Sequence, residues 1–242
     1  MANDSPQILG WATGVASLNR GLADITNPDA GVVTFGDASN ALGPAEGTSL
    51  DVVSLGDGGS ITLTFDQPIS DGAGADFAVF ENSFSDTFLE LAFVEVSSNG
   101  TDFFRFDATS LTQTQTQVGA FGTLDPTNLN NLAGTFRQGF GTPFDLAELT
   151  DPALNTDLVT HVRLIDVVGS IDPNVGSQDA SGNFINDPFS TPFASGGFDL
   201  DGVAVLNTIP EPNSLAFLAL SATALLRRNR SPHLFVTGEK HV

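Results

Sequence analysis

The stretch from Leu55 to Asn82 constrains the fold most, because it carries the clearest strand pattern in the chain. Its segment SITLTFDQPI places Ile61, Leu63 and Phe65 in alternation with threonines. Strict alternation predicts a β-strand with one face on a core and the other face away from it. A loop rich in glycine and aspartate follows, and the apolar run from Phe77 to Phe80 then predicts a second strand that pairs with the first.

The chain is strongly acidic, and this limits its partners. Its 242 residues include 29 acidic and 8 basic side chains, a formal net charge of −21. Such a surface repels nucleic acid and anionic lipid and attracts cations, so no nucleic-acid partner is expected. Solubility in a salty or extracellular setting explains the same excess of charge, and the two explanations are compatible.

Absent residue types exclude several chemistries. The chain has no cysteine, so a disulfide framework, a thiolate zinc site and a cysteine nucleophile are all excluded. Phenylalanine occurs 20 times, tryptophan once and tyrosine never. Sugar-binding platforms usually carry tryptophan or tyrosine with a polar edge, so the phenylalanines are interpreted mainly as core residues.

Further strands are predicted along the body of the chain. The segment LELAFVEVSS from Leu89 to Ser98 precedes Asn99-Gly100, which predicts a hairpin with a type I′ turn. Alternation in Leu158–Val168 and apolar residues in Phe198–Leu206 predict two more strands. The polar residues 107–156 are predicted to form a long connection with a short helix near residues 144–149.

These segments together resemble the galactose-binding-like β-sandwich of discoidin and many carbohydrate-binding modules. The resemblance rests on ALGPAEG, SITLTFDQPI, FVEVSSNGTDFF, HVRLIDV and FDLDGVAVL, and it covers about residues 30–208. It implies an all-β fold, an antiparallel β-sandwich of the jelly-roll type, with an ectodomain at residues 1–208 and its core at 30–208. Period-two patterning and short turns suit such a fold.

The C-terminal segment carries a second resemblance. Ile209 precedes a Pro-Glu-Pro box, an apolar run LAFLALSATALL and an arginine cluster, formed by Pro210, Glu211, Pro212, Arg227, Arg228 and Arg230. Residues 209–230 resemble a PEP-CTERM sorting signal with a short membrane helix at 214–226, followed by a tail at 231–242. The resemblance implies processing by an exosortase-type enzyme and transient membrane anchoring. The alternative is a buried amphipathic helix, because the apolar run is short for a bilayer.

An export signal is expected together with such a sorting signal. The residues after Met1 lack the basic and apolar regions of a secretory signal peptide. We therefore expect the true start to lie upstream of Met1 and the protein to be exported to the cell surface or extracellular matrix. If Met1 is the true start, export is doubtful and the C-terminal signal is a relic.

One acidic segment resembles the calcium loops of EF-hand and thrombospondin type 3 proteins. It places oxygen-bearing groups at alternate positions, namely Asp179, Ser181, Asn183, the backbone carbonyl of Ile185, and Asp187. Such a spacing folds oxygens around one Ca²⁺ ion. Ser190 stands where an EF-hand has its bidentate glutamate, so the affinity is expected to be modest. An ordinary polar turn is the alternative.

Two further acidic sets are candidate ligands of a structural Ca²⁺. Asp199 and Asp201 lie two residues apart in a predicted strand, where carboxylates on one face would repel each other unless a cation lies between them. The other set brackets the predicted central strand pair and comprises Asp71, Asp76, Glu81 and Asn82. These sets offer hard oxygen ligands and no soft sulfur ligand, which favours Ca²⁺.

No catalytic motif stands out. His161 is the one histidine of the body, and it lacks the GxSxG context of a serine nucleophile. Glu81, Glu90 or Glu95 could supply one carboxylate of a glycosidase, but nothing singles out a pair. The sequence therefore predicts a non-catalytic surface or matrix protein, stabilised by calcium, for glycan, exopolysaccharide or matrix attachment. A secreted polysaccharide hydrolase or lyase and a purely structural matrix protein are the alternatives.

Overall fold

Thirteen short strands provide the regular structure of residues 1–209, the part of the chain that the computed structural model describes. In chain order the strands are β1 (Gly10–Trp11), β2 (Gly14–Asn19), β3 (Val53–Ser54), β4 (Ser60–Ile69), β5 (Phe77–Glu81), β6 (Ala92–Ser97), β7 (Phe104–Arg105), β8 (Thr109–Ser110), β9 (Leu129–Asn130), β10 (Leu132–Ala133), β11 (Thr142–Phe144), β12 (Val159–Asp166) and β13 (Asp199–Val205). Five 3₁₀ turns, Pro28–Ala30, Ala38–Ala41, Pro126–Asn128, Leu146–Glu148 and Thr156–Leu158, are the helices of this part. The predicted all-β class is confirmed.

Two antiparallel sheets organise the strands. The first sheet has the order β1-β13-β5-β11, with β3 also paired to β13. The second has the order β10-β6-β12-β4-β2, with β7 also paired to β6. The strands β8 and β9 form a separate small pair. Strands β1 and β2, which precede residue 30, belong to the two main sheets.

One core joins the two sheets in a sandwich-like arrangement. Phe77 and Val203 of the first sheet and Leu63 and Val162 of the second belong to a single cluster of buried side chains. Alternation along β4 and β12 places these apolar side chains inward, as the sequence predicts. The polar partners on the opposite face of β12 include Arg163, which is partly exposed.

The predicted pairing of the two central strands is wrong. Strand β4 pairs with β12 and β2, whereas β5 pairs with β13 and β11, so residues 70–76 cross from one sheet to the other. The physical reason is that β5 is buried along its whole length. Val79 faces the shared core, while Phe80 packs on the other face with its ring 5.2 Å from that of Trp11. A strand covered on both faces belongs inside a sheet.

The Asn99-Gly100 hairpin is confirmed, but its turn type is wrong. Val96 pairs with Phe104, and Gly100 has a φ of +75°. A type I′ turn also needs a positive φ at Asn99, and Asn131 is the only non-glycine residue with a positive φ in residues 1–209. The side chain of Asn99 instead accepts the N–H of Thr101 at 2.9 Å, which folds a wider loop.

The predicted long connection contains more structure than expected. Its strand β10 extends the second sheet beside β6, and its strand β11 extends the first sheet beside β5. The predicted short helix is present as the 3₁₀ turn Leu146–Glu148. This arrangement brings residue 145 to the beginning of β5, because Phe144 pairs with Phe77.

Candidate functional site

The sequence-predicted acidic residues separate to opposite ends of β5. Asp71 and Asp76 lie in the connection that precedes this strand, and Glu81 and Asn82 lie where it ends. Asp199 begins the neighbouring strand β13 and therefore joins the second pair. The chain thus has two acidic regions, which we call the triad and the acidic end.

The triad consists of Asp71, Asp76 and Asp145. One carboxylate oxygen from each of these residues lies within 4.8 Å of the others, and no other group of three His, Cys, Asp or Glu residues in the described chain meets that limit. Asp145 also caps the turn Leu146–Glu148, because its Oδ1 accepts the N–H of Ala147 at 3.0 Å. The three oxygens come from two chain segments and suit a divalent cation.

Asp76 is the buried member of the triad, and its carboxylate is held by hydrogen bonds. Its Oδ2 accepts the N–H of Leu146 at 2.7 Å, and its Oδ1 accepts the N–H of Gly72 at 2.8 Å and the Nδ2 of Asn207 at 2.9 Å. Burial raises the pKa of Asp76 despite these bonds, and the charge of Asp71 adds to the effect. The carboxylate of Asp76 is therefore held in place by three hydrogen bonds.

Glu81 dominates the acidic end because it is fully buried and incompletely bonded. Its Oε2 accepts the N–H of Ser83 at 2.7 Å, whereas its Oε1 is buried and has no hydrogen-bond partner in residues 1–209. Burial raises the pKa of Glu81 well above its usual value, and the nearby charge of Asp199 raises it further. An unbonded buried carboxylate oxygen is costly, and either a bound proton or a nearby cation relieves that cost.

Asp199 lies beside Glu81 and has more partners. It accepts hydrogen bonds from the Oγ of Ser54 and from the Nδ2 of Asn82, the latter at 3.1 Å. Burial raises the pKa of Asp199 to about 6, while these two bonds and the charge of Arg20 oppose the shift. Asn82 therefore serves as a donor to Asp199 here.

Three more buried carboxylates belong to this end of the protein, namely Glu90, Asp166 and Asp187. Burial raises the pKa of each well above its usual value, and mutual repulsion contributes. Asp166 accepts the N–H of Phe198 at 2.7 Å, and Asp187 accepts the N–H of Leu91 at 3.1 Å. Glu90, by contrast, has no side-chain hydrogen bond within residues 1–209 and is 8% exposed, and only burial and neighbouring acids act on its pKa.

A pocket of about 340 Å³ opens onto this group of acids. Glu90, Asp199 and Asn82 line it, and a series of phenylalanine rings surrounds them. Phe84 and Phe88 stack at 4.6 Å, Phe88 and Phe121 lie 6.4 Å apart, and Phe121 and Phe193 lie 5.9 Å apart. The pocket therefore combines anionic side chains with apolar, largely exposed aromatic rings.

Asp201 is oriented toward a different loop. A register shift between Leu200 and Gly202 places it at a β-bulge of β13. Its two oxygens accept the N–H groups of Glu46 and Gly47 at 3.0 and 2.8 Å. Burial raises the pKa of Asp201. The structure thus gives Asp199 and Asp201 separate partners.

The predicted calcium loop folds around its first side chain. The Oδ1 of Asp179 accepts the N–H groups of Ser181 and Asn183, both at 2.9 Å, and its Oδ2 accepts the N–H of Ser110 at 3.1 Å. Burial alone would raise the pKa of Asp179, but these hydrogen bonds outweigh it and lower the pKa. The side chain of Ile185 lies in a hydrophobic cluster, and Asp187 belongs to the acidic end.

The residues of the predicted sorting signal, Pro210, Glu211, Pro212, Arg227, Arg228 and Arg230, lie outside the described residues, as does the predicted membrane helix at 214–226. Within residues 1–209, no helix has the length and apolar character to cross a membrane.

Sequence reasoning did not assign Asp145 or Glu90 as ligands. Asp145 lies in the polar connection, and the only local signal was its position before a short predicted helix, where aspartate is a favoured cap. Its approach to Asp76 depends on the pairing of β11 with β5, which is not encoded locally. Glu90 lies two residues before β6 among buried residues, where a glutamate without a partner is unusual.

The fold and these two regions define the chain as an all-β protein with two antiparallel sheets and a marked concentration of buried carboxylates. No protein-family model matches the chain. No curated protein sequence matches it either.

Proposed function

We propose that this chain is a non-catalytic β-sandwich of the galactose-binding-like jelly-roll type, stabilised by Ca²⁺, that attaches to glycan, exopolysaccharide or another matrix component. The observation that carries the proposal is the triad, whose three carboxylate oxygens lie within 4.8 Å of one another. Two of its members, Asp71 and Asp76, are ligands that the sequence predicts.

Electrostatics supports a cation at the triad. Three carboxylates at this separation repel one another, and Asp71 has no basic side chain bonded to it in residues 1–209. Oxygen-only ligands favour a hard cation such as Ca²⁺. An ion held there would connect the β4–β5 connection to the turn after β11, which are 70 residues apart in sequence between Asp76 and Leu146.

The calcium test compares two aspartates with the same local role. Asp145 and Asp125 each cap a 3₁₀ turn by accepting the N–H two residues ahead, at 3.0 Å in both cases, but only Asp145 belongs to the triad. We expect Ca²⁺ to raise the melting temperature of the full chain and of Asp125→Asn, and to have little effect on Asp145→Asn. Equal changes of melting temperature with Ca²⁺ in the two variants would show that the triad does not bind the ion.

Export and sorting follow from the sequence resemblance. The Pro-Glu-Pro box, apolar run and arginine cluster support exosortase-type processing, transient membrane anchoring and a final location at the cell surface or in extracellular matrix. The test is fractionation of cells that express the full chain beside a variant with Pro210 and Pro212 replaced by alanine. Retention of both proteins in the cytosol would argue against export.

A second candidate function has a specific observation in its favour. Glu90 and Asp199 line one pocket, and burial raises the pKa of both, as expected for a general acid of a polysaccharide hydrolase or lyase. Release of reducing or unsaturated ends from polysaccharides by the full chain, abolished in Glu90→Gln, would support this function over the non-catalytic one. A purely structural matrix protein would bind no glycan and cleave none.

A further inference from the structure

The pocket at the acidic end contains a side chain that lacks a partner. Glu90 lines the pocket and is 8% exposed, and within residues 1–209 its carboxylate has no ion pair and no hydrogen-bond donor. Asp199 lines the same pocket, and the unbonded Oε1 of Glu81 belongs to the same group of mutually repelling acids. A buried carboxyl group in this situation either holds a proton or takes a positively charged partner, so a cation that enters the pocket stabilises its ionised form.

The described protein does not supply that partner. None of the residues that line the pocket is basic. Among residues 1–209, Arg20 is the basic residue whose charge acts on Asp199, and its guanidinium donates to the backbone carbonyls of Phe35, Gly36 and Ser54. Because Arg20 is committed to the backbone, no basic side chain lining the pocket stabilises the ionised form of Glu90, and a ligand cation would do so.

The walls of the pocket favour an organic cation over a bare metal ion. Phe84 and Phe121 are 64% and 73% exposed, and Phe193 is 45% exposed, so these rings present apolar faces at the opening. Aromatic faces attract ammonium groups through their quadrupole and pack against the carbon atoms that carry them. In contrast, the acids of this end do not form a group of three with oxygens within 4.8 Å, a condition that within residues 1–209 only the triad meets.

We propose that the pocket formed by Glu90, Asp199 and the rings of Phe84, Phe88, Phe121 and Phe193 binds a protonated amine carried on a compact organic body. The ammonium group contacts the carboxylate of Glu90, and the carbon skeleton lies against the phenylalanines. This inference deepens the ligand-binding part of the proposed function: an attached glycan would present an amino sugar whose nitrogen is free. A quaternary ammonium headgroup offers the same positive charge to the carboxylate and the rings from another source, without an N–H to donate.

The test is isothermal titration calorimetry of the full chain near neutral pH with three probes. They are the trisaccharide of glucosamine, its fully N-acetylated form, and choline. We expect the glucosamine trisaccharide to bind and acetylation to weaken it about tenfold or more, because the charge is lost. Tighter binding of choline than of the trisaccharide would identify a headgroup as the source of the organic cation, and the reverse order would identify an amino sugar.

Two variants distinguish the contribution of the Glu90 charge to binding from that of the aromatic rings. Glu90→Gln keeps the shape of the side chain and is expected to weaken binding about tenfold or more. Phe121→Leu keeps an apolar, exposed side chain but removes the ring face, with an expected loss of about twofold to fivefold. Asp125→Asn, which does not line the pocket, serves as the control and is expected to bind as the wild type does.

Several results would overturn the proposal. These are no binding of either amine, equal binding of the acetylated sugar, or unchanged affinity in Glu90→Gln. Calcium binding that is lost in Glu90→Gln but kept in Asp145→Asn would assign the pocket to a metal. Failure of this inference and failure of the calcium proposal are distinguishable, since the first depends on Glu90 and the second on Asp145.

Discussion

The Glu81 carboxyl group is buried and only one of its oxygens is hydrogen-bonded, and this predicts how the stability of the protein depends on pH. Its folded-state pKa is raised well above the usual value, so the folded protein binds a proton that the unfolded chain has released. Stability from this group is therefore fully present below the unfolded pKa and is lost as the pH rises toward the folded pKa. Between the unfolded and the folded pKa of Glu81, this group alone lowers the free energy of unfolding by about 1.4 kcal/mol for each unit by which the pH rises.

The perturbation is Glu81→Gln, which retains an oxygen for the N–H of Ser83 and removes the titrating proton. We expect the free energy of unfolding of this variant to fall less steeply above pH 5 than that of the wild type, by about 1.4 kcal/mol per pH unit. Urea titrations with a calcium chelator present, followed by the fluorescence of Trp11, the single tryptophan, provide the measurement. Trp11 reports on the first sheet through its contact with Phe80.

Glu148→Gln is the matched control, since Glu148 is exposed and its side chain accepts the Nδ2 of Asn131 at the surface. Its pH profile is expected to run parallel to that of the wild type. If the Glu81→Gln profile is also parallel to the wild type, Glu81 does not hold a proton in the folded state, and the reasoning from its burial fails.

Three other substitutions test the packing and hydrogen bonding described above. Asp76→Asn leaves a buried donor such as the N–H of Leu146 without its acceptor, and we expect a loss of about 1–3 kcal/mol; an unchanged urea midpoint would contradict this. Glu95→Gln removes the carboxylate shared by Arg105 and Arg163, with an expected loss of about 1 kcal/mol that shrinks at high salt. A loss independent of salt would show that charge is not the cause. Phe106→Ala empties a fully buried position, and its expected cost is about 3–5 kcal/mol by urea denaturation; less than 1 kcal/mol would be incompatible with the core as described.

The sequence predicts a strand well where one face of the strand is buried and the other face is polar. Alternation in β4 and β12 arises because one face meets the core and the other meets polar groups, and residues two apart report this directly. The continuous run FAVF of β5 has no such contrast, since Val79 and Phe80 are both buried against different layers. Its sheet partners therefore could not be inferred from its own residues.

Prediction of the candidate sites is limited in the same way, because their residues come from distant segments of the chain. Asp71 and Asp76 are close in sequence, so local reasoning pairs them correctly, whereas Asp145 joins them only through the pairing of β11 with β5. The phenylalanines of the pocket span residues 84 to 193, and no local pattern predicts their stacking. Composition suggested core residues, yet Phe84 and Phe121 lie at the surface because the residues around them are polar loops.

The pairing pattern of β13 has a consequence for how the chain acquires its shape. This strand, which ends at Val205, forms ladders with β1, β3 and β5, so three earlier segments depend on it for their backbone partners. A nascent or truncated chain that stops before Asp199 therefore carries unpaired strand edges, which are prone to aggregation. Contacts between residues so distant along the polypeptide also make folding slow. Productive folding of residues 1–209 must therefore await the synthesis of β13.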